Sequence, residues 1–469
     1  MINFNLFDNL TRFSNKVALV TDSFDYIKYK DLIEISIGFS NKVPKRSVVI
    51  IVCDNSVGSV ASYVGFIRAG IVPILLDRNI NYESIINISR AYNVKYICSE
   101  NSYLDKYNEK SHIIHSHEKY DLIEFIHIDC INDVHNDLAL LLPTSGSTGS
   151  PKFVKISYKN LYSNTKSISQ SLPIESNDVA LTTMPMNYSY GLSIINTHLF
   201  NGASIVLTNK TMMEKEFWTL FFNAKITTFG GVPFIYKMLK RLKFSEMNIN
   251  TLKYITQAGG RLDPSLVEYF TSVCKKNNSK FYVMYGQTEA TARMSVLSFK
   301  DIDDKKDSIG KVIPGGMFML IDGKGREVTK DKTGELIYFG DNVSMGYANN
   351  YDDLALGDIN KGKLKTGDIA RRDSDGYYYI IGRIKRFVKI FGVRVGLDEV
   401  ENFLNDKGLE CVCSGSDDSL KIYITNPDYI DKIRDFISES KLIHHKGYSV
   451  HLIDYIPRNK SGKVKYSCL

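Results

Sequence analysis

LLLPTSGSTGSPKFVKIS, residues 140–157, is the stretch on which the reading of this chain turns. Apolar residues of strand character run directly into Thr144-Ser145-Gly146-Ser147-Thr148-Gly149-Ser150-Pro151-Lys152. Gly146 and Gly149 let backbone amides turn inward around an anion, and Thr144, Ser145, Ser147 and Thr148 add hydroxyl donors. Lys152 adds a positive charge. The segment reads as a phosphate loop entered from a strand. It is not a Walker loop, because no Gly-Lys-Ser/Thr follows at the required spacing, so a P-loop NTPase is disfavoured. A flexible Ser/Gly connector is the plainer alternative, but a connector has no need of so many hydroxyls closed by Pro-Lys.

Outward from this loop the chain alternates short apolar runs with helical patterns. VVIIVCD (48–54) and IVPILLD (71–77) precede it. VALTTM, ASIVLT, ITTFGG, LKYITQAGG and KFYVMYG follow between Asp178 and Gly286, with a helix between each pair. Continuous apolar strands separated by helices indicate parallel sheets covered on both faces. Two such sets predict two sheet-based α/β subdomains. After Gly286 come short strands with Gly-rich turns, a small β-rich subdomain. A break near GRIKRFVKIFG leads into a compact α+β tail with a helix from Leu397, strands ECVCS and LKIYITN, and a helix from Asp428.

The bulk composition agrees with a folded multidomain protein. The 469 residues are 43% hydrophobic and 24% charged, enough to bury a large core without disulfides. The net charge of +7 suits an anionic ligand such as a nucleotide or CoA, and Lys and Arg form no long basic run of the kind a polynucleotide site needs. Seven cysteines show no CxxC pair, which fits reduced thiols and a cytoplasmic location. Cys411 and Cys413 sit two apart in an expected strand and share one face. His112, His115 and His117 lie in a polar, loop-like stretch without companion metal ligands. No apolar run is long enough for a membrane span.

With these segments in order, the chain resembles the adenylate-forming superfamily of acyl-CoA synthetases, peptide-synthetase adenylation domains and luciferases. The resemblance rests on the loop above, on FIRAGIVPILLD (66–77), QAGGRL (257–262), YGQTEA (285–290), Gly334 to Tyr347, Thr366-Gly367-Asp368, GRIKRFVKIFGVRV from Gly382, and PRNKSGKVK from Pro457. It implies an N-terminal AMP-binding region, residues 1–384, and a mobile C-terminal lid, 385–469. It also implies Mg·ATP-dependent activation of a small carboxylic acid as an acyl-AMP, then transfer to a thiol, either CoA or the phosphopantetheine of a carrier protein.

Roles follow by position in the motifs. Tyr285 matches the aromatic that flanks adenine, and Gly259, Gly260 and Arg261 match the contacts on the base edge. Thr288 matches the α-phosphate contact and Glu289 the Mg²⁺ ligand, a fitting role for a carboxylate since magnesium prefers oxygen. Asp368 matches the ribose ligand and Arg383 a second ribose and phosphate contact. Lys463 matches the lysine that bridges carboxylate and α-phosphate, where charge must be neutralised as two anions meet. Lys385 matches the hinge about which the lid turns, presenting either Lys463 or the 389–395 segment to the site.

Two positions depart from the usual pattern: Phe153 stands where relatives have Gly, and Gly396 where many have Glu. A non-catalytic binding protein on this scaffold would be expected to lack Lys463, Glu289 or Asp368, and all are present. An enzyme that stops at the adenylate and passes it to an amine stays open. The compact stretch before the loop leans toward the carrier-loading branch, with a separate carrier expected because the chain ends soon after Lys463. Asp417-Asp418-Ser419-Leu420 reads as a hairpin turn in the lid rather than a carrier's attachment site.

Amino-acid-activating relatives place an Asp in the segment that here reads MPMNYSYG (184–191), and no acid occurs between Asp178 and Glu214. Asn187, Tyr188, Tyr190, Phe229 and Met284 are the expected pocket wall. An acid without a free α-amine is favoured over an amino acid, because a buried ammonium without a carboxylate is costly.

Overall fold

The computed structural model describes residues 5–101, 111–125, 133–143, 152–328, 332–384, 386–390, 393–416, 418–440, 443, 446–459 and 462–469. The architecture is α/β. VVIIVC forms the strand Val48–Cys53, buried at every position, and it pairs in parallel with Val72–Asp77 and Tyr96–Glu100. A strand flanked on both edges and covered on both faces has no place for a polar side chain, which is why this run lacks alternation. Around it, among the described residues, lies an eight-stranded sheet. Its order is Gly346–Ala348, Phe153–Ser157, Leu138–Pro143, Val72–Asp77, Val48–Cys53, Tyr96–Glu100, Tyr120–Phe125 and Ser111–His117.

The expectation of a purely parallel sheet needs correction at the edges. Tyr120–Phe125, Ser111–His117, Phe153–Ser157 and Gly346–Ala348 all pair antiparallel. The three histidines are on an edge strand, not in a loop. One neighbour and one exposed face leave an edge strand little apolar signal to read, although the His115 ring still meets Phe39 edge-on at 4.8 Å.

The second sheet contains nine strands among the described residues, with Val179–Leu181, Thr228–Gly231, Tyr254–Gln257 and Lys280–Tyr285 parallel at its centre. Helices Val57–Ala69 and Ser189–Phe200 fill the space between the two sheets, and Tyr63 of one donates to Asn196 Oδ1 of the other at 3.1 Å. Position explains composition: Val57 through Ile67 are all buried, a helix apolar all round because it is covered all round. Ser56 caps its start through the Ser59 amide, and Gly70 at φ +78° ends it. Four antiparallel strands, Gly316–Ile321, Thr333–Gly340, Lys363–Arg372 and Tyr378–Arg383, form the β-rich subdomain.

From Phe387 onward the elements gather around their own core of Val388, Val395, Val400, Leu404, Cys413, Ile422 and Ile433. Cys411 and Cys413 are both buried on the strand Cys411–Ser416, on one face as expected. Among the described residues no helix is long and apolar enough to cross a membrane. Phe153 is buried with its ring edge on Tyr92 at 5.1 Å, so its departure from glycine serves packing.

Candidate active site

Asp368 organises one wall. It is 2% exposed on the strand Lys363–Arg372, and antiparallel register sets it opposite Arg383. The Arg383 Nε donates to Asp368 Oδ1 at 2.9 Å, and the Tyr285 hydroxyl donates to Asp368 Oδ2. The Asp368 charge raises the guanidinium pKa of Arg383. Burial, reinforced by the same carboxylate, pushes the Tyr285 phenol far up, so it stays a donor. Two groups from two subdomains thus meet at one carboxylate.

Thr288 and Glu289 follow Tyr285 on a tight turn. A Cβ on Gly286 would lie 1.7 Å from the Ala292 carbonyl oxygen, so only glycine closes this turn. The Thr288 hydroxyl lies 3.2 Å from that of Ser189, at the start of the helix between the sheets. Glu289 Oε1 accepts from the Tyr347 hydroxyl at 2.9 Å, and the Lys152 ammonium sits 3.7 Å over the Tyr347 ring. Thr144, Ser145, Gly146, Ser147, Thr148 and Gly149 lie outside the described residues, as does Lys385. The strands that bracket the loop pair antiparallel with Pro143 opposite Phe153, so its two ends are adjacent.

Lys463 reaches the same space from the C-terminal elements. Its amide donates to Asn459 Oδ1 at 2.9 Å in a turn that places Gly462 at φ +76°. Its ammonium stands 5.5 Å from the centre of the Tyr188 ring. Burial lowers its pKa, the nearby Arg383 charge lowers it further, and Glu289 and Asp368 oppose both. Lys463 therefore shares one electrostatic environment with Arg383, Glu289 and Asp368.

Arg261, expected at the base edge, also reaches toward the C-terminal elements. Its guanidinium bonds Asn402 at 2.9 Å, Asp307 at 3.2 Å and Asp406 at 3.4 Å, and so bridges to the helix Leu397–Asp406. The side chain is long enough to leave the Gly-Gly turn and pair with acids beyond it. Gly259 and Gly260 stay at the site: a Cβ on Gly259 would lie 2.5 Å from the Tyr188 hydroxyl. Lys237 with Glu410 at 2.6 Å, and Arg458 with Glu410 at 3.3 Å, complete a polar seam beside the Arg261 bridge.

Strand parity divides the expected pocket wall. On Thr228–Gly231, a Cβ on Gly230 would lie 2.7 Å from the Tyr190 hydroxyl and 2.8 Å from Ile194 of the helix Ser189–Phe200, whereas the Phe229 ring meets Phe221 and Phe244 in the neighbouring core, each at 6.1 Å. Phe229 is thus a core residue. Tyr188, Tyr190 and Met284 share a cluster on the pocket side, and buried Asn187 Oδ1 and Gln257 Oε1 have no partner among the described residues. Sequence reading missed Arg293, 2% exposed, whose guanidinium lies 4.7 Å over the Tyr190 ring. The only signal was a lone arginine after YGQTEATA. Buried His198 was missed too; burial holds its pKa down to about 4, so it is neutral.

Among the described residues no three His, Cys, Asp or Glu side chains form a metal cluster. A single carboxylate at Glu289 fits a magnesium ion that is held chiefly by substrate phosphates rather than by a protein cage.

A family model described as AMP-binding enzyme matches residues 6–348. The 4-coumarate–CoA ligase 2 of Nicotiana tabacum is 24% identical over 98% of this chain and 92% of its own. The o-succinylbenzoate CoA synthetase from Bacillus subtilis, solved with the acyl-adenylate OSB-AMP, superposes with a TM-score of 0.77 at 20% identity, over 98% of this chain and 96% of that one. The same enzyme with ATP and magnesium gives 0.79 at 21% identity, over 98% of each chain. Similarity at this level establishes the shared fold.

Proposed function

The chain belongs to the AMP-binding enzyme family, and from that premise we propose that it is an ATP-dependent acid–thiol ligase working through an acyl-AMP. The observation that carries this reading is the convergence of Lys463 with Asp368, Arg383 and Glu289 from separate elements. A carboxylate oxygen attacks the α-phosphorus of ATP, the bond to the β-phosphate oxygen breaks, and pyrophosphate leaves. A thiolate then attacks the acyl carbon and AMP departs. Lys463 neutralises the charge as two anions approach, and its lowered pKa reflects a partly dry site where one cation acts strongly.

Asp368 and Arg383 hold the ribose, Tyr285 with Gly259 and Gly260 hold adenine, and Thr288 holds the α-phosphate. The loop Thr144 to Gly149 with Lys152 cradles the other phosphates. Glu289 would hold Mg²⁺ together with the phosphates of ATP, and the ion would supply further neutralisation of the pyrophosphate charge. The division falls at Lys385. In support, Arg383 on one side is tied to Asp368, while Arg386 on the other bonds Glu401 at 2.8 Å and lies 3.7 Å from the Tyr466 ring in the C-terminal core. Rotation there exchanges Lys463 for the 389–395 segment between the half-reactions.

Relatives such as the 4-coumarate–CoA ligase of Nicotiana tabacum favour CoA as the thiol, against the sequence's lean to a carrier protein. The acid lacks a free α-amine. Arg293 and the absence of any carboxylate in MPMNYSYG both support this, since an ammonium there meets a cation and no counter-charge. The test is acid-dependent ATP–pyrophosphate exchange over a panel of acids, followed by mass detection of the CoA thioester. No exchange with any acid refutes the ligase. A free amino acid that beats its des-amino and hydroxy analogues by more than about tenfold, or 1.4 kcal/mol, refutes the reading of the pocket.

A further inference from the structure

Arg293 is a buried cation without a counter-ion among the described residues. Its backbone is held firmly, since Asn164 Nδ2 donates to its carbonyl at 2.8 Å and Asn342 Nδ2 at 3.3 Å. Its guanidinium is not. Nη1 has only the Met284 sulfur, at 3.0 Å, and Nε has no partner among the described residues. No Asp or Glu among the described residues pairs with it. The nearest polar groups are committed elsewhere: Tyr190 donates to Thr256, and His198 Nδ1 lies 2.8 Å from the Ile194 carbonyl. His198 Nε2 is within 3.3 Å of the Tyr254 hydroxyl.

A fully buried guanidinium forfeits its hydration, and one ring face and one thioether replace only part of it. A thioether is a weak acceptor on an adaptable side chain, so it is readily displaced. The void beside Arg293, lined by Thr228, Gly230, Thr256, Tyr254 and His198, measures about 10 Å³, room for a single water at most. The missing anion therefore comes from the side of Tyr190 and Met284, which belong to the proposed acyl pocket. Lys463 stands over the Tyr188 ring and Arg293 over the Tyr190 ring, and the two ring centres are 6.4 Å apart.

Resting on the ligase reading above, we infer that the activated acid is a dicarboxylate: one carboxylate reacts beside Lys463, and the second forms a two-bond pair with the Arg293 guanidinium. A carboxylate is the fitting anion, because its two coplanar oxygens match the guanidinium fork. The ATP phosphates are proposed to lie with Lys463, Thr288 and Glu289, none of which contacts the Arg293 guanidinium among the described residues.

The test compares α,ω-dicarboxylic acids from succinate to suberate, and phthalate isomers, with their monomethyl esters. The readouts are ATP–pyrophosphate exchange and thermal melting, in the wild type and in Arg293→Met. We expect at least one diacid to surpass its half-ester in kcat/KM by about 10- to 100-fold, the range for a charge-assisted pair. Arg293→Met should abolish that preference, yet melt no lower than the wild type, since it removes an uncompensated charge. Half-esters that equal or beat their diacids overturn the inference and leave the ligase standing. A marked fall in the melting temperature of Arg293→Met, with the diacid preference intact, identifies a structural cation and also overturns it. If no acid supports exchange, the ligase reading fails, and melting alone decides the anion site. Diacids that stabilise the wild type but not Arg293→Met uphold it, and equal effects on both overturn it.

Discussion

Gly462→Ala isolates the pose in which Lys463 enters the site. Gly462 has φ +76°, and a Cβ there would lie 2.8 Å from Phe234 Cβ and 3.4 Å from Val232 Cγ2. The first contact is with an atom fixed to the backbone, so no rotamer change relieves it. The left-handed conformation costs an L-residue about 1–2 kcal/mol, but that cost travels with the turn wherever the lid goes. The overlap exists only while the turn rests on Val232 and Phe234. Overpacking of this kind costs about 1–3 kcal/mol, which lowers the occupancy of this pose by a factor between about 5 and 150. ATP–pyrophosphate exchange should therefore fall by that factor. Thioester formation from chemically supplied acyl-AMP and CoA should stay within about twofold, because the turn has left Phe234 by then. An exchange rate within about twofold of the wild type, or an equal loss in both assays, refutes the reasoning.

Lys463→Ala should lower exchange on the order of 10²-fold or more while sparing transfer from supplied acyl-AMP, and equal losses would count against two poses. Asp368→Asn removes the counter-charge of Arg383 and the acceptor of Tyr285. It should raise the KM for ATP by about 10- to 100-fold with little change in the KM for the acid; a shift in the acid's KM instead would displace Asp368 from the nucleotide site. His198 has a folded pKa of about 4 against 6.5 when unfolded, so the unfolded chain binds the extra proton and stability is lost as pH falls from 6.5 toward 4. Urea unfolding at pH 7 and pH 4.5 should show His198→Gln losing about 2–3 kcal/mol less than the wild type; identical acid slopes would remove His198 as a source.

The sequence by itself determined the α/β class, the order of the subdomains and the local motifs. Each depends on short-range chemistry: an unbroken apolar run such as VVIIVC, a Gly-rich hydroxyl loop, or a glycine before a lysine. The tertiary structure decided which side chains meet. The Phe229 ring packs on Phe221 and Phe244 because strand parity, invisible without knowing which face is covered, turned it that way. Arg261 ties to the helix Leu397–Asp406 because an acid some 140 residues further along lies within its reach. The edge strand of histidines lacked a signal because an edge has one neighbour and little to bury. Arg293 reads in sequence as one more surface arginine. Only the packing of the helix Ser189–Phe200 against Tyr254–Gln257 and Lys280–Tyr285 buries it without an acidic partner among the described residues, since burial is a property of everything that surrounds a residue and not of its neighbours in the chain.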